Sequence, residues 1–216
     1  MLIGIKEEIA GVSIEVKRES ESHEAIWIKI DNGRIKVRIG VVYAPQENKC
    51  RNKELEKMYE KITEEVKKAE ENGEKLLIMG DFNCKIGDAI KNNKEEVSRG
   101  GKELLKMIKD NKLSVLNNHI RCKGKWTRSQ NEKKSVIDYV LIKEEDEERI
   151  TKVRIDENKE ITPYRITEEI VYTDHCAIVT EINWRKIDKR EEQICNRYQQ
   201  SKGAKRKRSA DGCNKK

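Results

Sequence analysis

The sequence predicts a mixed α/β domain, and three features of its apolar pattern support this prediction. Leu76 to Met79 is a run of four apolar residues that stops at Gly80, as expected of a strand buried on both faces. Between residues 52 and 72, apolar residues recur at intervals of three and four, which indicates an amphipathic helix. Alternating apolar residues on both sides of Asn32-Gly33 indicate a β-hairpin.

The ends of these elements are also marked in the sequence. We predict a type I′ turn at Asn32-Gly33, and an end to the second hairpin strand at Pro45, which has no N–H to donate. We predict Asn52 as the N-cap of the helix and Gly73 as its C-terminal stop. The same periodicities predict strands at 1–5, 12–16 and 113–116 and a second helix at 101–109.

Composition limits the classes of protein to consider. Forty per cent of the 216 residues are charged and five per cent are aromatic, which describes a thin core under a strongly solvated surface. The formal net charge of +7 is concentrated in residues 201–216, which hold seven Lys or Arg and one Asp. The net positive charge therefore says little about whether the rest of the chain binds nucleic acid. We expect one domain over 1–184 and a basic, disordered tail over 185–216.

The cysteines and the apolar runs indicate the compartment. The six cysteines show no paired spacing, and no signal peptide is recognisable, so we expect reduced thiols in a nuclear or cytoplasmic protein. No apolar run approaches the roughly 20 residues that a membrane span requires. We therefore expect no membrane partner, and the oligomeric state is left open.

Polar residues follow the predicted buried strand at once. If the backbone stays extended after Gly80, Asp81 and Asn83 point to one side while Phe82 points into the core. Open α/β sheets carry their chemistry at the carboxyl ends of such strands, although an Asp and an Asn are also common turn residues. On this stretch alone both interpretations stay open. Tyr43, at the end of the preceding strand, is by itself typical of a boundary aromatic.

A second informative run is 135–142, in which apolar residues lie on both sides of Asp138. This pattern places a carboxylate inside an otherwise buried strand, where an unpaired charge costs on the order of several kcal/mol. A cation or a proton donor must therefore meet it. The best candidate is His175, which follows Asp174 between two strand-like runs.

Four motifs follow one another along the chain: Val-Tyr-Ala-Pro, Gly-Asp-Phe-Asn, Ile-Asp-Tyr-Val-Leu and Thr-Asp-His-Cys. Their order and positions resemble the endonuclease/exonuclease/phosphatase superfamily. Within it, residues 1–184 look most like the endonuclease domains of LINE-type retrotransposons and the related craniofacial-development-like proteins. The resemblance implies a four-layer α/β sandwich, with two mainly antiparallel sheets packed face to face and helices outside. It also implies metal-dependent hydrolysis of a phosphodiester.

The resemblance assigns roles to five catalytic side chains. Asp81 would orient and deprotonate the attacking water, and Asn83 would donate a hydrogen bond to a phosphoryl oxygen. Asp138 would orient His175, which would act as the electrophile or acid at the phosphate. Tyr43 would donate a hydrogen bond to the same phosphate.

The resemblance also implies a cofactor, Mg²⁺ with Mn²⁺ as the alternative, held by Asp81, Asn83 and Asp174. The superfamily's N-terminal portion carries an Asn and a metal-binding Glu that have no counterpart here, and residues 2–7 look like the segment just past that Glu. We therefore expect an N-terminally incomplete domain that binds Mg²⁺ weakly, tends to aggregate and has little or no activity.

Another departure lies at Lys125-Trp126-Thr127. Many relatives place a Thr directly before the aromatic residue, where Lys125 stands here, so this segment is left out of the catalytic set.

Three functions remain open at this stage. The first is a DNA endonuclease that cuts one strand, with DNA as the expected partner. The second is the same fold acting on RNA or another phosphate ester. The third is a non-catalytic remnant that binds nucleic acid through its basic tail, in which Lys205 to Arg208 could also serve as a nuclear import signal.

Overall fold

The computed structural model describes residues 13–18, 24–90, 93–161, 163–166 and 169–184. The strands are β1 (Ser13–Arg18), β2 (Glu24–Asp31), β3 (Lys36–Tyr43), β4 (Lys75–Asp81), β5 (Leu113–Val115), β6 (Cys122–Lys123), β7 (Arg128–Gln130), β8 (Lys133–Ser135), β9 (Asp138–Lys143), β10 (Ile150–Ile155), β11 (Pro163–Ile166), β12 (Glu169–Tyr172) and β13 (Ile178–Ile182). The α-helices are α1 (Asn52–Glu71) and α2 (Arg99–Asp110), and 3₁₀ turns lie at Gly87–Ala89, Leu116–Asn118 and Glu144–Arg149.

The largest sheet has six strands in the order β1-β2-β3-β4-β9-β5. The β3–β4 pair is parallel, and the other neighbouring pairs are antiparallel. A second sheet has the order β13-β10-β6, and β7–β8 and β11–β12 form two further antiparallel pairs. Because β3 and β4 run in the same direction, their carboxyl ends lie at the same edge of the sheet.

Both faces of the central strands are buried. Leu76 and Ile78 of β4 and Leu141 of β9 belong to the hydrophobic core that also takes in the apolar sides of α1 and α2. The alternate residues Leu77 and Ile142 point to the opposite face and are also buried. The 3₁₀ turn Leu116–Asn118 contacts strands of both sheets. This arrangement confirms the predicted α/β sandwich.

The predicted hairpin forms, but its turn is not the predicted type I′. Strands β2 and β3 pair up to a four-residue loop over 32–35. Gly33 has φ +76°, whereas Asn32 does not share the left-handed conformation that a type I′ turn requires. Instead, the Asn32 side-chain oxygen accepts the N–H groups of Arg34 and Ile35, at 3.1 and 2.8 Å. This side-chain acceptor stabilises a longer loop.

The predicted long helix forms as α1, with a shifted start. Arg51 is its N-cap, and the Arg51 N–H donates to the Glu54 carboxylate at 2.9 Å, so the predicted cap at Asn52 is wrong by one position. Gly73 has φ +63° just after the helix, which confirms the predicted stop. At the sheet-facing side of α1, the buried Glu65 forms an ion pair with Arg38 of β3.

Three further predictions are confirmed: the elements expected at 12–16, 113–116 and 101–109 are β1, β5 and α2. Helix α2 starts two residues early because Ser98 caps it, with its side-chain oxygen accepting the Gly101 N–H. The segments predicted at 1–5 and 185–216 lie outside the described residues. Within the residues that are described, no helix combines the length and the apolar character needed to cross a bilayer.

Candidate active site

Three strands bring the predicted site residues to one edge of the large sheet. Tyr43 of β3 is the register partner of Asp81 in the parallel β3–β4 pair. Asp81 is in turn the register partner of Asp138 in the antiparallel β4–β9 pair. The sheet thus places Asp81 and Asp138 in adjacent register positions, with the half-exposed Tyr43 at the neighbouring position of β3.

Gly80 permits β4 to lie this close to β3. Its φ is +146°, and a Cβ on this residue would lie 1.9 Å from the Val42 carbonyl oxygen. No side chain fits at that distance, so the position requires glycine. The abrupt end of the apolar run at Gly80 is therefore a steric requirement of the strand pair that positions Asp81.

The backbone turns immediately after Asp81. Asn83 has φ +47°, and the Asp81 Oδ1 atom accepts the Asn83 N–H at 2.8 Å. The condition of an extended backbone through Asn83 is therefore not met, and the turn that the sequence left open is the one that forms. The Asn83 amide nitrogen donates to the Ala44 carbonyl at 2.8 Å, which ties this turn to the end of β3. Phe82 is 1% exposed, which confirms its predicted place in the core.

His175 and Asp138 form the pair that the buried-charge argument predicted. The His175 Nδ1 atom lies 3.0 Å from each oxygen of Asp138. The hydrogen bond that His175 donates to Asp138 raises the pKa of His175, against the opposing effect of burial. One detail differs: Asp138 is the first residue of β9 and its side chain is 15% exposed, so it lies at the strand's end and not inside a buried strand.

The other imidazole nitrogen of His175 faces two further carboxylates. Its Nε2 atom lies 3.9 Å from Asp81 Oδ2 and 3.9 Å from Asp174 Oδ1. Burial and the neighbouring charge of Asp138 raise the pKa of Asp81 to about 6. Burial opposes ionisation of Asp174 too, but its hydrogen bond and ion pair with Arg128 at 2.7 Å outweigh that effect and lower the pKa of Asp174. Three carboxylates therefore surround one imidazole.

A family model described as Endonuclease-reverse transcriptase matches residues 37–179, well over half of the chain. The chain belongs to the endonuclease/exonuclease/phosphatase superfamily. The matched segment contains Tyr43, Asp81, Asn83, Asp138 and His175.

Solved structures of this superfamily share the fold. The endonuclease domain of TRAS1, a telomere-specific non-LTR retrotransposon, gives a TM-score of 0.51 at 18% identity over 80% of this chain and 70% of that one. The 3′ phosphatase NExo from Neisseria, bound to a product DNA hairpin, gives 0.56 at 19% identity over 81% and 71%. The Xenopus laevis APE2 catalytic domain gives 0.52 at 16% identity over 74% and 55%. A comparison with curated proteins finds no match.

Thr127, which lies outside the predicted catalytic set, supports both members of the His175–Asp138 pair. It is fully buried, and its Oγ1 accepts the N–H groups of Ile137 and Asp138 at 3.0 and 3.1 Å. Its carbonyl accepts the N–H of Cys176, the residue after His175, at 2.7 Å. One threonine therefore fixes the backbone next to both side chains.

Asn117 and Arg128 were also missed. The Asn117 side chain donates to the Asp138 carbonyl at 2.9 Å and accepts the Val140 N–H at 3.1 Å, which fixes the start of β9. An Asn two residues past the end of a strand, as at Asn83, was the available signal for it. The only feature of the sequence that could have pointed to Arg128 is its position directly after Thr127.

Enzymes of this superfamily use divalent metals, and the residues at this edge fit such an ion. Asp81, Asp138 and His175 each place one ligand atom within 4.8 Å of the others. The resemblance implies a different set, Asp81, Asn83 and Asp174, which shares Asp81 with this cluster. These are hard oxygen donors of the kind that Mg²⁺ prefers. Burial, and after it the neighbouring charge of Asp138, raises the pKa of Asp81, and a bound cation would offset both effects.

Proposed function

We propose that this site hydrolyses phosphodiester bonds of DNA with Mg²⁺ or Mn²⁺, as a retroelement-type endonuclease. The observation that supports this most directly is the arrangement of His175. Its Nδ1 is held by Asp138, and its Nε2 faces Asp81 and Asp174. A positioned imidazole next to a carboxylate of raised pKa is the acid and base pair that this reaction needs.

Each residue would have a defined part in the reaction. Asp81 would take a proton from the attacking water as the new phosphorus–oxygen bond forms, and a pKa of about 6 suits a base near neutral pH. Protonated His175 would donate a hydrogen bond to a non-bridging oxygen and would then give its proton to the leaving oxygen as that bond breaks. Asp138 would keep the imidazole oriented and favour its charged form.

The remaining predicted residues would hold the substrate and the ion. Tyr43, 46% exposed at the carboxyl end of β3, would donate its hydroxyl hydrogen to the phosphate. Asp81, Asn83 and Asp174 would hold the cation, which when bound supplies a Lewis acid that offsets charge on the phosphoryl oxygens. Because these residues provide few protein oxygens, we expect weak Mg²⁺ binding and slow turnover.

DNA is the proposed substrate for two reasons. One structural neighbour is described as bound to a product DNA hairpin, and another as a retrotransposon endonuclease domain. The chain itself places a cationic pocket beside the site, where Lys85, Arg128, Lys133 and Lys134 outnumber the one acidic lining residue, Glu47. Such a surface attracts a phosphate backbone without regard to sequence.

Nicking of supercoiled plasmid DNA tests this proposal. We expect the purified chain to nick plasmid slowly with millimolar Mg²⁺, faster with Mn²⁺, and not at all with EDTA. His175→Ala should lower the nicking rate by about 10²–10⁴-fold, because it removes the acid at the phosphate. His119→Ala is the matched control and should nick at the wild-type rate. Equal nicking by His175→Ala, or no metal-dependent nicking by the wild-type chain, would overturn the proposal.

A further inference from the structure

Arg128 lies at the border between the carboxylate cluster and the cationic pocket. Its Nε donates to Asp174 Oδ2 at 2.7 Å, and its Nη2 donates to Gln130 Oε1 at 2.8 Å. Asp174 is in turn 3.9 Å from the His175 Nε2 atom. The guanidinium is therefore separated from the proposed catalytic imidazole by the width of one carboxylate, and it also lines the pocket that contains Lys133.

The backbone of Arg128 is fixed to the same loop that carries His175. Arg128 and His175 form an antiparallel β-bridge, and the N–H of Ser129 donates to the Asp174 carbonyl at 2.8 Å. Thr127, the preceding residue, is fully buried and hydrogen-bonded to the backbone beside Asp138. These contacts thus fix the backbone of Arg128 relative to both His175 and Asp138.

Stability alone is a weak explanation for this ion pair. The side chains of Arg128 and Asp174 are 32% and 33% exposed, and pairs this exposed to water add little to stability. A guanidinium has more N–H donors than the two used here, arranged in a planar fork that matches the oxygens of a phosphate. It also stays charged at every pH at which proteins are folded.

From these observations we infer that Arg128 is a substrate-binding residue that contacts a non-bridging oxygen of the phosphodiester to be cleaved. This inference rests on the function proposed above and adds one residue to it. The guanidinium pairs with Asp174 in the free protein and offers its remaining donors to the phosphate next to His175. It stabilises the charge that grows on the phosphoryl oxygens during the reaction.

Two readouts test this inference in the full chain. The first is binding of a fluorescent DNA duplex in EDTA over a range of KCl concentrations, where cleavage is blocked. Loss of one phosphate contact should lower the slope of log affinity against log salt by about one in Arg128→Ala. The second is the single-turnover nicking rate with Mn²⁺, which should fall by about 10²-fold because a donor to the developing charge is lost.

Matched variants separate a phosphate contact from a structural role. Arg154→Ala removes an arginine of similar exposure that pairs with Asp156 at 3.2 Å, and it should leave both readouts at wild-type values. Arg128→Lys should restore the salt slope but not the rate, because an ammonium is a point charge without the fork. Thermal unfolding of each variant reports on folding.

The results distinguish this inference from the proposed function. If Arg128→Ala is folded and keeps the wild-type salt slope, or if Arg154→Ala loses as much, the inference is wrong. If the wild-type chain does not nick DNA with any metal, the proposed function fails, and the salt slope still decides whether Arg128 contacts phosphate.

Discussion

At the scale of single residues, the site depends on the hydrogen-bonded pair His175–Asp138, which could be predicted from electrostatics. Asp138 sits in an apolar run, and an isolated carboxylate there requires a partner. The sequence contains few histidines, and His175 was the one placed between two strand-like runs. Its Nδ1 lies 3.0 Å from both Asp138 oxygens. The chemistry of a buried charge thus predicted a contact between residues far apart in the chain.

The His175–Asp138 pair should be visible in a pH titration of the metal-free protein. The folded-state pKa of His175 is raised above 6.5, chiefly by the Asp138 hydrogen bond. Its contribution to stability is therefore complete below pH 6.5 and is lost as the pH rises through the folded-state pKa. In Asp138→Asn we expect the His175 pKa to fall and this pH dependence to shrink. NMR titration of the imidazole in EDTA measures the pKa, and urea denaturation over the same pH range measures the pH dependence of stability. An unchanged pKa in the variant would contradict the assignment.

Thr127→Val should separate hydrogen bonding from packing at the base of the site. Valine keeps the shape but removes the oxygen that accepts the N–H groups of Ile137 and Asp138. We expect a loss of about 2 kcal/mol in unfolding free energy and slower nicking, because two buried donors lose their partner. Thr127→Ser keeps the oxygen and should cost less than about 1 kcal/mol. Urea denaturation of both variants checks this, and equal losses would show that the hydroxyl is unimportant.

The residues that sequence reasoning missed share a physical reason. Thr127, Asn117 and Arg128 act through backbone groups or neighbouring side chains that the fold brings together from distant segments. Periodicity identifies which face of an element is buried, but it carries no information about which polar atom meets which. Asp81, Asp138 and His175 were found because each departs from an apolar pattern.

At the scale of elements, the strand ends position the chemistry. The parallel β3–β4 pair and the antiparallel β4–β9 pair put Tyr43, Asp81 and Asp138 in adjacent register positions. The individual strands could be predicted from local alternation and apolar runs, but the pairing of β4 with β9 joins segments over fifty residues apart. The turn after Asp81 could not be predicted because Asn83 is compatible with both extended and left-handed backbone.

Gly80→Ala should disrupt the pairing that carries Asp81. The added Cβ would lie 1.9 Å from the Val42 carbonyl oxygen, and backbone atoms cannot move away as a flexible side chain could. Gly73→Ala is the matched control, since Gly73 also has a positive φ but nothing within 4 Å of the added atom. We expect Gly73→Ala to cost about 1 kcal/mol and Gly80→Ala at least about 2 kcal/mol more. Chemical denaturation compares them, and similar losses would argue against the close strand approach.

At the scale of the whole molecule, the fold class could be predicted, whereas the order in which the strands pair could not. Alternation, amphipathic helices and buried strands indicated α/β layers, and the resemblance supplied the sandwich that the structure confirms. The order β1-β2-β3-β4-β9-β5 brings late strand β9 into the middle of the sheet. Packing between distant segments determines this strand order, and no local sequence pattern indicates it.

The carboxylate cluster should couple the stability of the whole domain to metal. Burial and Asp138 raise the pKa of Asp81 from 3.8 to about 6, so ionisation of Asp81 begins to cost stability as the pH rises above 3.8, and the full cost is reached above about pH 6. Asp81→Asn removes that charge and should stabilise the metal-free protein at pH 8 by about 1 kcal/mol, after allowance for solvent screening.

A cation that binds only the folded state should raise the melting temperature of the wild-type chain, because its binding free energy adds to stability. We expect Mn²⁺ titration to produce this rise and Asp81→Asn to lose it, while Asp88→Asn, an exposed aspartate on the 3₁₀ turn Gly87–Ala89, keeps it. Differential scanning calorimetry in EDTA and in Mn²⁺ gives both quantities from the same samples. If Asp81→Asn lowered the stability of the metal-free protein and still responded to Mn²⁺ like the wild type, Asp81 would be a structural turn residue, and the cation would have to bind elsewhere.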